Sequence, residues 1–282
     1  MGKTAMRKLY KFAFVFILTA ILTICLTETS IFANENIQGT CEYIYSPEFP
    51  NAYIETSDDQ NSVSLLNDIK ITEVTVYVQE IIDNESNSCI SSKLLSKEEI
   101  DVLKASDINN AIYPGTTSTY QKLKLIFSIP SQSSNNTYDL RAYAKWSGGS
   151  GISGPAAGDD FVGFAWGGKF DSFSRSISGR TIAGSSMSFY SADYIANTGC
   201  VWGFNESAPQ MDYLNAYITL NKNTLTGGGN TTAFVAKYIH TYQSSVGNIS
   251  LSVTSSGVGG GFTLSSCPKQ WSLVATLTGF QY

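Results

Sequence analysis

Apolar and polar side chains alternate along much of this chain with a period of two. Between Ile71 and Ile82, Val74, Val76 and Val78 alternate with Glu73, Thr75 and Tyr77, the pattern of a half-buried strand. Gln121 to Ile129 repeats it, with Leu123, Leu125, Phe127 and Ile129 on one face and Lys122, Lys124 and Ser128 on the other. Pro130 and the polar run Ser131 to Asn136 end that strand. Thr137 to Trp146 then resumes with Tyr138, Leu140, Ala142, Ala144 and Trp146 on one face, so the two segments predict a hairpin. Further strands are predicted over Phe161–Trp166, Ser186–Tyr190, Cys200–Phe204, Tyr213–Leu220, Thr232–Tyr242, Ile249–Thr254, Phe262–Ser265 and Trp271–Phe280.

One segment breaks the period. Ser96-Lys97-Glu98-Glu99 sets a hydroxyl three residues before a glutamate, the signature of a capping box, and Ile100 and Leu103 follow as an apolar stripe. This predicts a short helix from Lys97 to Ala105. Asn34 to Asn67, with Pro47 and Pro50, reads as irregular, and Asp83 to Ser88 as a turn.

Short strands divided by Gly, Ser and Asn, with no internal repeat of fixed period, predict an all-β fold. The expected architecture is an antiparallel β-sandwich (jelly-roll or Ig-like) with one short helical insertion. A single domain over residues 34–282 is expected, its acidic N-terminal segment (34–119) containing the helix.

The N-terminus changes the compartment. Lys3, Arg7, Lys8 and Lys11 precede an apolar stretch from Phe12 to Leu26, and Ile31-Phe32-Ala33 offers a small residue for cleavage. Residues 1–33 therefore read as a signal peptide, and the protein as secreted and extracellular. The stretch is shorter than a spanning helix needs, Glu28 follows closely, and Ile24 before Cys25 does not suit a lipobox. No transmembrane anchor is expected.

Charge narrows the partners. The formal net charge of −5 becomes −8 without the leader. Residues 34–139 carry 16 acidic and 6 basic side chains, whereas residues 140–282 carry 6 and 8. The second half must keep its surface polar with Ser, Thr, Asn, Gly and Tyr. Nucleic-acid binding, which needs clustered Lys and Arg, is excluded.

Four cysteines follow the leader: Cys41, Cys89, Cys200 and Cys267. An even count in an exported chain suggests two disulfides, and of the three pairings Cys41–Cys89 with Cys200–Cys267 closes each bridge within one half of the chain. Free buried thiols are the alternative. The cysteine spacings fit no zinc pattern and His240 is the sole histidine, so neither a metal nor a cofactor is expected.

Candidate chemistry is sparse. His240 shares a strand face with Phe234, Ala236, Tyr238 and Tyr242, a setting in which histidine is structural, and no Gly-x-Ser-x-Gly turn offers a nucleophile. Asp159, Asp160, Asp171, Asp193, Glu206 and Asp212 are the acids available for a paired-carboxylate hydrolase or a calcium site. Ser172–Ser178 and the uncharged Val246–Ser266 alternate as a membrane hairpin would, although Arg175, Arg180 and Gly259-Gly260-Gly261 interrupt them.

Of the four tryptophans, Trp146 and Trp271 lie on apolar strand faces. Trp166 and Trp202, flanked by Gly167 and Gly203, are the candidates for exposure and for stacking on sugar rings, although burial is the better expectation for each. The function expected from the sequence is a secreted, non-enzymatic module that binds a cell-surface glycan or other envelope polymer. Two alternatives stand beside it. One is a membrane-active or pore-forming β protein, the only reading in which the chain contacts a membrane; the other is a secreted hydrolase with paired carboxylates. A binding module is distinguished by a row of exposed tyrosines or tryptophans on one sheet.

Overall fold

The structure, a computed structural model, describes residues 40–56, 71–86, 88–105, 114–134, 137–147, 158–167, 170–205, 211–222, 231–242, 249–252, 261–264 and 269–281. The chain divides into two compact units, Met1–Gln38 and Gly39–Tyr282, and all of these residues belong to the second. The leader expected over residues 1–33 lies outside them.

The first sheet is antiparallel in the order β1 (Thr40–Tyr45), β15 (Gln270–Gln281), β12 (Thr231–Thr241), β7 (Asp159–Trp166), β10 (Gly199–Asn205), β9 (Tyr190–Ile195). The second, also antiparallel, runs β2 (Ile54–Thr56), β3 (Ile71–Asp83), β5 (Thr116–Ser134), β6 (Thr137–Ser147), β11 (Met211–Lys222), β8 (Phe170–Thr181), and β4 (Ser88–Leu94) also pairs with β3. A two-stranded sheet joins β13 (Ile249–Ser252) to β14 (Gly261–Leu264), and one helix, α1, spans Lys97–Ala105. The fold is an all-β sandwich with one short helix.

Alternation decides which side chains meet. Val74, Val76 and Val78 of β3, Leu123, Leu125 and Phe127 of β5, and Leu140, Ala142 and Ala144 of β6 face Val162, Phe164 and Trp166 of β7 and Leu273, Ala275 and Leu277 of β15 in one continuous core. Burying each large apolar side chain of this kind contributes about 1.5–3 kcal/mol, so the shared core is what holds the two sheets together.

The outer faces are covered unequally. On the second sheet, α1 sets Ile100 against Tyr77 of β3 and Leu95. Its capping box closes both ways: the Ser96 N–H donates to Glu99 Oε2 at 2.9 Å, and the Glu99 N–H donates to Ser96 Oγ at 3.3 Å. On the first sheet, Phe262 and Leu264 of β14 pack on Phe161, Val201 and Ile239. Close approach there needs a small residue on β7, since a Cβ on Gly163 would stand 2.3 Å from the Cys200 carbonyl and 3.0 Å from the Phe262 ring. Lys237 Nζ donates to the Phe262 carbonyl at 3.0 Å, and desolvation holds its pKa below the ordinary lysine value.

Four differences from the sequence expectation stand out. β1 and β2 lie in the stretch read as irregular; β2 has three residues, too few for a pattern. β4 was not expected because Cys89, Ser92 and Leu94, its buried positions, include a serine that breaks the apolar alternation. The strand expected at Ser186–Tyr190 instead begins at Tyr190. That strand, β9, is a sheet edge with no buried residue and so carries no periodic signal.

Candidate functional site

Between α1 at one margin and β8 at the other, the outer face of the second sheet lies open among the described residues. Cross-strand register arranges it in rows. Lys124, Lys145, Tyr213 and Arg180 form one row across β5, β6, β11 and β8. Ile126, Tyr143, Asn215 and Ser178 form the next, and Ser128, Arg141, Tyr217 and Ser176 the third. Residues paired across strands share a face, so three tyrosines, an asparagine and an arginine converge here from β6 and β11.

All but Tyr213 line a shallow depression of about 320 Å³, together with Ile126, Ser128, Ala142 and Ala216. Tyr143 stacks on Tyr213 with ring centres 6.1 Å apart and planes 19° apart. The Arg141 guanidinium lies over the Tyr217 ring at 5.2 Å. Thr219 Oγ1 sits 3.2 Å from the Tyr217 hydroxyl and donates to Asp139 Oδ1 at 2.9 Å. Arg141 and Asn215 are exposed, and the three tyrosines are partly so. Beside the depression, Lys124 pairs with Glu73, and Lys145 pairs with Asp212 at 3.4 Å.

Trp166 and Trp202 are elsewhere. Both point into the core, Trp166 fully buried and Trp202 5 % exposed, and Trp166 Nε1 donates to the Phe170 carbonyl at 2.8 Å. Burial, the better expectation for each, is what the structure shows, and neither forms an exposed platform for a sugar ring. Their neighbouring glycines mark crowding rather than openness. A Cβ on Gly167 would lie 2.2 Å from Thr232 Oγ1, and one on Gly203 would lie 2.3 Å from the Tyr190 ring.

His240 occupies the other notable setting, in the core. Its Nδ1 lies 3.0 Å from Asp160 Oδ2 on β7, and its Nε2 lies 3.1 Å from Glu80 Oε1 on β3. The Tyr238 hydroxyl donates to Asp160 Oδ2 at 2.6 Å, the Thr241 N–H to Asp160 Oδ1 at 2.9 Å, and Gln121 Nε2 to Glu80 Oε2 at 3.2 Å. Trp271 and Trp146 flank the imidazole. These acids converge as a hydrolase pair would, yet Asp160 is 0 % and Glu80 6 % exposed, so the cluster is sealed from any substrate.

Of the remaining acids, Asp159 accepts from the Tyr190 hydroxyl at 2.7 Å and from Asn205 at 3.3 Å. Among the described residues, no group of three His, Cys, Asp or Glu side chains is arranged to hold a metal ion. No helix among them is long and apolar enough to cross a membrane, which says nothing of spanning strands. The segment that resembled a membrane hairpin contributes β13 and β14, with Phe262 of β14 1 % exposed against the body. Cys89 and Cys200 are free buried thiols, while Cys267 and the Cys41 side chain lie outside the described residues.

No family model matches the chain, and no curated protein matches it. Several solved structures are similar at a low level. The T6 backbone pilin of serotype M6 Streptococcus pyogenes aligns at 12% identity and a TM-score of 0.26, over 62% of this chain and 58% of that one. The KRT10-binding region domain of the pneumococcal serine rich repeat protein PsrP aligns at 10% and 0.25, over 61% and 87%. The collagen adhesin (CNA) from S. aureus aligns at 6% and 0.26, over 68% and 86%. This chain thus spans about three-fifths of the pilin. At these identities and TM-scores nothing is carried over to it.

Proposed function

We propose that this chain is an exported, non-enzymatic binding module that holds a cell-envelope or extracellular glycan on the outer face of its second sheet. The observation that carries the reading is an open depression lined by Tyr143, Tyr217, Arg141 and Asn215, with Tyr213 stacked on Tyr143 beside it. Aromatic faces stack on the apolar C–H faces of sugars, and amide and hydroxyl groups bond the sugar hydroxyls. The surface is built on strands rather than loops, so its side chains are held in place before a ligand arrives. The acids that converge elsewhere are sealed in the core, which argues against a hydrolase.

Co-sedimentation of the purified chain with insoluble cell-wall polysaccharide, with lipid vesicles in parallel, tests the reading. Wild type pellets with wall material. Tyr143→Ala/Tyr217→Ala, checked for an unchanged thermal melt, loses about tenfold or more in affinity, as expected for central aromatic contacts. Pelleting with vesicles alone overturns the proposal in favour of a membrane-active protein. Undiminished wall binding by the double variant removes this face from it.

A further inference from the structure

We infer that the depression selects an anionic saccharide, one whose sugar units carry a carboxylate or a phosphate, through the guanidinium of Arg141. The inference rests on the glycan-binding reading above and narrows it.

The argument begins with which charges on this face are already matched. Lys124 is engaged by Glu73 and Lys145 by Asp212. Asp139, the acid one row beyond Arg141, is 8 % exposed and accepts from the Thr219 hydroxyl. Arg141 forms no ion pair among the described residues and is exposed at the depression. Arg180, exposed in the first row, also forms none among them but does not line the depression. None of the eight residues lining the depression is acidic.

The contact with Tyr217, 5.2 Å from the guanidinium carbon to the ring centre, restrains the Arg141 side chain at the depression. A guanidinium fork matches two oxygens of a carboxylate or phosphate in a bidentate, charge-assisted pair. A neutral sugar can accept hydrogen bonds from the same N–H groups, but only an anion also matches the charge. The volume of about 320 Å³ lies at the lower end of small-ligand sites and suits a saccharide unit.

The rest of the molecule opposes indiscriminate attraction. The chain as a whole is at −5, so a polyanion meets repulsion except where a specific pair forms. Anion recognition in the depression therefore rests on Arg141, with Arg180 the other cation of these rows that has no ion pair among the described residues, and so few charges give a shallow salt dependence.

Affinity electrophoresis of the full chain through gels containing polygalacturonate, polyglycerol phosphate or dextran separates the cases. Retardation by one or both polyanions, and not by dextran, is expected, and the retarding polymer tells carboxylate from phosphate. Arg141→Ala should weaken that retardation about tenfold or more, as loss of a charge-assisted hydrogen bond does. Arg141→Lys, which keeps the charge without the fork, should restore only part of it. Arg141 is exposed, so an unchanged melt is expected in both variants. Equal retardation by dextran, or polyanion binding indifferent to Arg141→Ala, overturns the anionic inference and leaves the module standing. No retardation by any polymer, together with no pelleting on wall material, overturns the glycan reading itself.

Discussion

Glu80 on the second sheet and His240 on the first meet 3.1 Å apart inside the sandwich, far apart in sequence and on opposite sides of the core. With Asp160 at the other ring nitrogen, the imidazole bridges two carboxylates that already accept from Tyr238, Thr241 and Gln121. Each ring nitrogen of His240 thus stands within hydrogen-bond reach of a buried carboxyl oxygen, one from each sheet. The cluster joins the sheets by directed bonds, as do the indole N–H groups of Trp166, to the Phe170 carbonyl, and of Trp271, to Ser92 Oγ.

Breaking that bridge leaves two buried carboxyl groups without their shared partner. His240→Leu should therefore destabilise the fold by roughly 2 kcal/mol or more, measured by urea denaturation. Adding Glu80→Gln and Asp160→Asn to the same variant should recover part of it, because the unsatisfied carboxyl groups go with them. A loss below about 1 kcal/mol for the single substitution would show that the bridge contributes little against ordinary variation.

Helix α1 tests local capping. Removing the Ser96 hydroxyl in Ser96→Ala should cost about 1 kcal/mol. Glu99→Gln keeps the capping geometry and removes the charge. The Glu99 carboxyl is held below its ordinary value, first by the Lys93 ammonium at 2.7 Å and also by the Ser96 N–H. A depressed carboxyl contributes stability that is present above its unfolded pKa and lost as pH falls through the folded one. The side chain is 44% exposed and its pair is screened, so the difference between wild type and Glu99→Gln should be at most about 0.5 kcal/mol at pH 7. That difference should vanish in acid. A gap that widens as pH falls would contradict the assignment.

What could be read from the chain follows the range of each interaction. The capping box acts over three residues, and the hairpin of β5 and β6 over one turn, so both were legible. His240 was legible as a core residue from its neighbours on β12, but its partners were not. Asp160 and Glu80 are 80 and 160 residues away, and no local pattern brings them together. The tyrosine face needed the order β5-β6-β11 before Tyr143, Tyr213 and Tyr217 could be seen as one surface. Trp166 and Trp202 stand as candidates for exposure in the sequence, with burial the better expectation, because a glycine beside an aromatic signals equally an open loop and a crowded strand. Only the positions of Thr232 and Tyr190 decide between them.

The cysteines separate two readings of the oxidised chain. Desolvation pushes the Cys89 and Cys200 thiols up to about 12. Only about one in ten thousand is then thiolate at pH 8, and the thiolate is the nucleophile. Iodoacetamide should label neither in the native protein and both after denaturation without reductant, as mapped by mass spectrometry. If denatured protein labels only after reduction, Cys89 and Cys200 are in disulfides, as the even cysteine count suggested.

Gly163 governs how the β13–β14 hairpin closes over the first sheet. Its missing Cβ leaves room for the Cys200 carbonyl of the adjacent strand and for the Phe262 ring above. The carbonyl is backbone in a paired strand, bonded within the register of β7 and β10, and cannot retreat without loosening that pairing. The ring is held in turn by Phe161, Val201 and Ile239, with Lys237 fixing the backbone beneath it. Gly163→Ala should therefore cost roughly 1–3 kcal/mol by overpacking. It should also release β14, so limited proteolysis should cut near Gly261–Leu264 faster than in wild type. Phe262→Ala should relieve the ring contact but not the carbonyl contact, and combined with Gly163→Ala should leave much of the loss in place. Full recovery in the double variant would mean that the hairpin, rather than the strand pairing beneath it, is what requires glycine at this position.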